Sequence, residues 1–424
     1  MKKLATLFLG CTLLSTPAFS GGFKIALQGQ KQTGMGSIGI GFAQDAATIY
    51  FNPAGMSFIS DQVNVGFTAL IPNTSFLERG TNTVYNSEKQ VFTPFSFYGS
   101  YHLTKKLAVG LGVYTPFGSG VKYPTDWSGR YVLQQISLQS IFFQPSVSYQ
   151  VGDILSFGAG FIYAIGNVLL EKDLPLSSGQ DHVIANAQLK GKGSGIGMNA
   201  SAYLKPSDRL SLGVTYHSRV NMNVKDGDAT FTNIPSALAT SFPATNKFST
   251  ELALPSEIGV GFSYKITKEL TVAVDFNHTF WRSFDSLGFD YDVNSASLTD
   301  AKSPRLYENA SCVRFGAQYS AGKYVDIRAG VFFDQTPVKD GYVAPELPDN
   351  NKVGLSVGGT FKIVPRLHVD LSLLYENVGY RTQRNIETGL DGSFQTMVLA
   401  PGIGINYLLH KVTPKTPTPT KEQE

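Results

Sequence analysis

Leu367-His-Val-Asp-Leu-Ser-Leu-Leu-Tyr-Glu376 decides the fold class. Leu367, Val369, Leu371, Leu373 and Tyr375 fall on one face of an extended chain. His368, Asp370, Ser372 and Glu376 fall on the other, with Leu374 as the one apolar intruder. Side chains in a strand alternate between faces with a period of two, so this stretch predicts a strand with one apolar and one polar surface. The pattern recurs in Leu210, Leu212, Val214 and Tyr216 against Ser211, Gly213, Thr215 and His217. It recurs again in Val325, Ile327, Ala329, Val331 and Phe333 against Asp326, Arg328, Gly330, Phe332 and Asp334, and in Leu155, Phe157, Ala159, Phe161 and Tyr163 against Ser156, Gly158, Gly160, Ile162 and Ala164.

A soluble sandwich also alternates, so the connections carry the decision. Those at 103–106, 152–153, 205–208, 267–268, 320–323 and 364–366 are short. Between them lie long polar ones at 72–90, 116–133, 171–193, 223–255, 283–307, 335–351 and 379–395. Strict alternation of short and long is the asymmetry of an outer-membrane barrel, with tight turns at the periplasmic end and long loops outside. Counting the segments between connections gives about fourteen strands, an even number. The expected fold is therefore all-β, a transmembrane antiparallel β-barrel of about 14 strands.

Composition agrees. Gly (43), Phe (29) and Tyr (20) are abundant while charged residues make up 16%. A mean hydropathy of −0.04 is too polar for a helical membrane protein. It suits a barrel whose residues face lipid and a polar lumen in turn.

The chain divides into four parts. Residues 1–20 read as a signal peptide. Lys2 and Lys3 precede an apolar run from Leu4 to Leu14, and Ala18-Phe19-Ser20 offers small residues before a cut at Gly21. The run of about 11 residues is short against the ~20 needed to span a bilayer. Losing Lys2 and Lys3 takes Lys+Arg from 35 to 33 against 32 Asp+Glu, which is no footprint for nucleic acid. It also leaves Cys312 as the lone cysteine, so no internal disulfide is expected. Residues 21–60 are rich in Gly, Ala and Gln without alternation, and are expected to form a hatch, or plug, in the barrel. Residues 61–409 are the barrel. Residues 410–424, with Pro414, Pro417 and Pro419 among Thr and Lys, read as a low-complexity periplasmic tail of extended, polyproline-like chain.

Enzymatic and metal chemistry find no support. The six histidines, His102, His182, His217, His278, His368 and His410, lie in separate segments with no G-x-S-x-G nearby. No His/Cys cluster has metal-ligand spacing. Gly34-Met-Gly36-Ser-Ile-Gly39 matches a dinucleotide fingerprint, but no strand precedes it and no βαβ pattern follows. No catalytic residue, cofactor or metal is expected. A general diffusion porin is the competing reading from another class, and it leaves residues 21–60 without a role.

Several motifs resemble one family. Gly22-Phe23, Gly34-Met35-Gly36, Asp45-Ala46 and Asn52-Pro53-Ala54-Gly55-Met56 resemble the hatch of the long-chain fatty acid transporters, the FadL and toluene-transporter family. Tyr114-Thr-Pro-Phe-Gly118, followed by Asp126-Trp127-Ser-Gly129-Arg130-Tyr131, is similar to that family's third strand and second outer loop. Trp281-Arg-Ser-Phe284 and Leu347-Pro348-Asp349 are similar to later elements. The barrel departs from the family pattern where its last strand ends near Tyr407-Leu408-Leu409 and a tail follows.

The resemblance implies passive uptake of hydrophobic molecules, long-chain fatty acids first and neutral aromatic hydrocarbons as the alternative, by a monomer in outer-membrane lipid and lipopolysaccharide. It implies a gate at Asn52, Pro53 and Ala54, although Asn-Pro also suits a plain turn into the first strand. It implies exit sideways through the wall at Tyr114, Pro116, Phe117 and Gly118. Pro116, which lacks an N–H, supplies a kink there or merely ends the strand. Strand parity puts Arg314 and Arg328 in the lumen. Each is a candidate for a fatty-acid head group, and each could equally be neutralised by lumen-facing Asp275, Asp326 or Asp370.

Overall fold

Period-two alternation becomes a closed antiparallel ladder. The computed structural model describes residues 21–178, 181–295 and 297–410; the signal peptide expected at 1–20 and nearly all of the expected tail lie outside the described residues. Neighbours in sequence pair in succession around the wall, and the first strand, Gln62–Thr68, pairs with the last, Asp391–Leu408, in register Gln62↔Leu408 to Thr68↔Gly402. The result is a closed barrel of fourteen strands, some built of two segments in line.

Exposure separates this barrel from a soluble one. On Leu367–Arg384 the apolar residues Leu371, Leu373 and Tyr375 are 43%, 41% and 39% exposed, whereas Asp370 and Ser372 are 0% and 6% exposed. Val353, Leu355 and Val357 on the neighbouring strand face outward in the same way. A water-soluble protein buries its apolar face; here that face is turned out and the polar one in, which fits a wall whose outer solvent is lipid.

Some connections that read as loops are ladder. Leu155–Ser178 and Asp181–Leu204 are strands of 24 residues each, paired through to Ser178↔Asp181, so most of 171–193 is hairpin. Likewise Val220–Thr232 pairs with Thr245–Leu254 inside 223–255, and Arg384↔Asp391 extends the ladder into 379–395. Beyond the lipid band neither face meets hydrocarbon. The hydropathy contrast vanishes while the backbone, which makes the ladder, continues.

Residues 21–60 carry only short helical turns, Gln30–Thr33 and Thr48–Phe51, and the 3-10 helix Pro53–Phe58. They lie within the lumen, and nearly all of 27–41 and 45–56 are buried.

Candidate functional site: a break in the wall beneath the N-terminal segment

The N-terminal segment meets the wall closely along 34–54. Gly36 has φ +74°, and an added Cβ there would lie 3.1 Å from the Phe315 carbonyl oxygen; one on Gly34 would lie 2.8 Å from the Gly358 Cα. Backbone thus touches backbone, which only glycine permits. Buried Asp275 accepts the N–H groups of Gly39 at 2.8 Å, Ile40 at 2.9 Å and Gly41 at 3.4 Å. Three converging N–H donors suit a carboxylate better than any neutral acceptor.

Asn52, Pro53 and Ala54 gather against three strands. Asn52 Nδ2 donates to the carbonyls of Ile40 (3.0 Å) and Ala202 (3.1 Å). Pro53 begins the 3-10 helix, where its missing N–H leaves no intrahelical bond unmade. The Ala54 N–H donates to Ser201 Oγ at 3.0 Å, and its carbonyl accepts from Ser148 Oγ at 2.9 Å and Ser156 Oγ at 2.7 Å.

The wall breaks at 115–117. Leu107–Tyr114 is paired on both edges, ending at Ser96↔Tyr114 and Tyr114↔Phe142. Pairing with the following strand resumes at Gly118↔Gln139, and between these points Ser140 Oγ stands in for the ladder, accepting from Phe117 N–H at 3.3 Å and donating to Phe117 O at 2.7 Å. On its other edge Gly118–Lys122 has no strand partner among the described residues; Glu88 and Lys122 span that side with one backbone bond, Glu88 N–H to Lys122 O at 2.7 Å, and a side-chain ion pair at 2.8 Å.

Residues 23–25 cover the break from inside. Ile25 N–H donates to Pro116 O at 2.8 Å, Gly118 N–H donates to Phe23 O at 3.0 Å, and Lys24 bridges Phe117 as an antiparallel partner. Gly22 N–H donates to Asp349 Oδ2 at 3.0 Å just ahead of this strap. Phe23 packs edge-on against Trp281 (4.8 Å between ring centroids) and Phe284 (5.5 Å). Tyr114 ties the break to the segment: its hydroxyl donates to Gln144, whose Nε2 donates to Ile49 O at 2.7 Å.

Two cavities flank Phe117. One, of roughly 100 Å³, is lined by Phe23, Ile136, Leu138, Met222 and Phe284, with the Arg305–Glu346 ion pair (2.7 Å) at its border. The other, of roughly 410 Å³, opens along the break and is lined by Phe92, Phe95, Val121, Leu374 and Lys24. The Lys24 ammonium meets the Glu257 carboxylate, which also accepts from Asn277 Nδ2 (2.9 Å) and Thr279 Oγ1 (2.8 Å). Burial works against the Lys24 charge, and the adjacent Glu257 outweighs it, holding the ammonium above the ordinary lysine range.

Both lumen arginines are engaged. Arg314 donates to Gly36 O at 3.3 Å and lies 5.0 Å from the Phe332 ring centroid. Arg328 donates to Gln44, Gln318 and Thr360, with Asp326 at 3.9 Å. The structure therefore joins 52–54 to the wall and 114–118 to residues 23–25, but sets neither arginine free. Sequence reasoning missed Lys24, Glu257, Arg305 and Glu346. Glu257 shares a parity with Gly259, Gly261 and Ser263, so an acid on a lumen face was the one available signal. Arg305 and Glu346 sit in aperiodic loops, which carry none. Among the described residues no His, Cys, Asp or Glu cluster could hold a metal.

Comparison with known proteins places this geometry. The long-chain fatty acid transport protein of Escherichia coli is 22% identical over 88% of this chain and 90% of its own. The crystal structure of a Pseudomonas aeruginosa FadL homologue superposes with a TM-score of 0.81 at 20% identity, covering 92% of this chain and all of that one. The Pseudomonas putida toluene transporter TodX superposes at 0.69 and 15% identity, with 92% and 100% covered. The family model for outer membrane protein transport proteins (OMPP1/FadL/TodX) matches residues 11–407. The chain belongs to that family: it is an outer-membrane β-barrel transporter of hydrophobic compounds, not an enzyme.

Proposed function

We propose that the protein carries long-chain fatty acids inward, passively and as a monomer seated in outer-membrane lipid and lipopolysaccharide. Residues 21–60 act as the hatch. A ligand enters the apolar cavity beside Phe23, the strap at 23–25 withdraws, and the ligand leaves sideways between Phe95 and Phe117 into the bilayer. The observation that carries this reading is the wall break itself, which abuts one apolar cavity and one of mixed lining and is covered by a strap with two backbone bonds. An acyl chain gains ~0.8 kcal/mol per buried CH₂, so a route that stays apolar into the bilayer is favoured over release into water. Asn52, Pro53 and Ala54 hold the hatch in its closed position. Arg314 and Arg328 are head-group contacts for an acid that displaces Gly36 O and the Gln44 amide oxygen from them.

Neutral aromatic hydrocarbons are the second reading. It is favoured by the self-paired Arg305–Glu346 at the apolar cavity and by the likeness to the toluene transporter. A diffusion porin is disfavoured by a lumen filled with residues 21–60. Uptake of labelled palmitate beside labelled toluene, in Gram-negative cells lacking their own transporter, separates the readings. Palmitate import that falls several-fold in the Asn52→Ala, Pro53→Ala variant supports acid transport through this hatch. Import of toluene alone moves the substrate to hydrocarbons. Free ion conductance with neither imported sinks the hydrophobic route.

A further inference from the structure

Two of the bonds that hold the strap are backbone bonds, open to almost any sequence. The ion pair between Lys24 and Glu257 belongs to this one. The two side chains are 17% and 8% exposed. Lys24 lies on the bridge to Phe117, so its charge sits directly behind the cover of the wall break. On one side it lines the cavity along the break. On the other it lines a small polar pocket with His217, Asp275 and Arg314.

We infer that Lys24–Glu257 is an anion-exchange latch and a carboxylate-binding site: the carboxylate of a long-chain acid takes the Lys24 ammonium from Glu257, and the strap leaves residues 116–118 together with the ligand's head. The inference rests on the transport reading above.

Charge bookkeeping favours exchange over simple withdrawal. Pulling one partner out of a buried pair strands the other, which is strongly unfavourable. A carboxylate avoids this on the lysine side by replacing Glu257. Glu257 in turn keeps its hydrogen bonds from Asn277 and Thr279. A neutral chain of the same length offers Lys24 nothing.

The closed state also gives an incoming acid no free cation at these cavities. Arg305 is paired with Glu346, Lys352 with Asp349 (3.5 Å), and Arg314 is bonded to Gly36 O. A ligand shifts a conformational equilibrium only through its differential affinity for the two states. Here an acid has that difference, since only the open state presents an unpaired ammonium, and an alcohol lacks it.

Trp281 gives a direct readout because its ring packs on Phe23 at 4.8 Å. The test compares dodecanoate with dodecanol on the full chain in detergent, following Trp281 fluorescence in a Trp127→Phe background, with uptake measured in parallel in cells. The expected result is half-maximal change at about tenfold lower dodecanoate than dodecanol, within the usual range of ligand-to-conformation coupling. Lys24→Met should bring that ratio near one and Lys24→Arg should preserve it, while Glu257→Gln, which leaves the ammonium without its competitor, should move the dodecanoate midpoint to lower concentration and leave the dodecanol midpoint less changed. Heat-modifiability on gels confirms that each variant is a folded barrel. Equal response of the parent to both ligands, or an acid preference that survives Lys24→Met, overturns the latch. Import of both ligands with a ratio indifferent to Lys24 removes the latch and leaves transport standing. Failure of the parent to import either ligand counts against transport, while the fluorescence ratio still decides the latch.

Discussion

Residues 34–41 and residues 23–25 belong to one N-terminal segment, yet they meet the barrel on different terms. The first stretch lies backbone on backbone against wall glycines, and Asp275 gathers three of its N–H groups. The second crosses a place where the wall has no ladder of its own, with two backbone bonds, one ion pair and a phenyl ring facing a cavity. Interactions of the first kind are cooperative and dry; loss of any one strands a buried partner. Those of the second are few and separate, and in the proposed mechanism a ligand replaces them singly, supplying a chain for Phe23 or a charge for Lys24. The difference teaches where movement is cheap. The segment has a densely held part and a lightly held part, and the lightly held part is the one that covers the break.

That contrast breaks most severely at Asp275. Asp275→Ala leaves three buried N–H groups without their acceptor, each worth about 1–3 kcal/mol when stranded. The expected outcome is loss of several kcal/mol in a urea titration in detergent, together with new ion conductance in planar bilayers as the densely held part comes loose. Unchanged stability and a silent bilayer would show that the anchor lies elsewhere.

A smaller effect is expected at Gly261. A Cβ there would fall onto the backbone nitrogen of Gly41. Gly261→Val should cost about 1–3 kcal/mol by overpacking, and limited proteolysis should cut within 34–54 where the parent chain resists. If the variant is as resistant as the parent, close backbone contact is not what seats the segment.

The smallest effect belongs to the strap. Ile25→Pro removes the N–H that donates to Pro116 O, a bond worth about 0.5–1.5 kcal/mol. Global stability should hardly move, while hydrogen exchange at the Gly118 amide should quicken by up to about tenfold, the kinetic equivalent of that energy. Exchange as slow as in the parent would make the strap part of the anchor and erase the comparison.

The barrel was legible because lipid and lumen impose opposite demands on alternate residues, as at Leu371 and Ser372. The same logic placed Arg314 and Arg328 inside, since parity survives without knowledge of the partner strand. It failed at 171–193, where Glu171, Lys172 and Lys190 stand on strands whose two faces both lack hydrocarbon. The strap was out of reach for another reason. Its contact with 116–118 is made by backbone atoms, which leave no side-chain signature, and Lys24 meets Glu257 across 233 positions of sequence. Asp275 was visible as a lumen acid, but nothing local to it said that its partners would be the amides of Gly39 to Gly41.

Closure of the wall by Gln62–Thr68 on Asp391–Leu408 has a consequence for biogenesis. The seam unites the start and the end of the chain, so among the wall contacts it closes the longest loop and carries the greatest loop-closure entropy. Residues 21–60 precede the seam strand and end up enclosed by it. Their seats on the inner face exist only once the strands that carry them stand side by side, as under Gly36, which lies against Phe315 and Gly330 on neighbouring strands. The glycines along the inner face are thus a template read in both directions: they leave room for the N-terminal backbone, and that backbone fills what would otherwise be a bare trough in the wall.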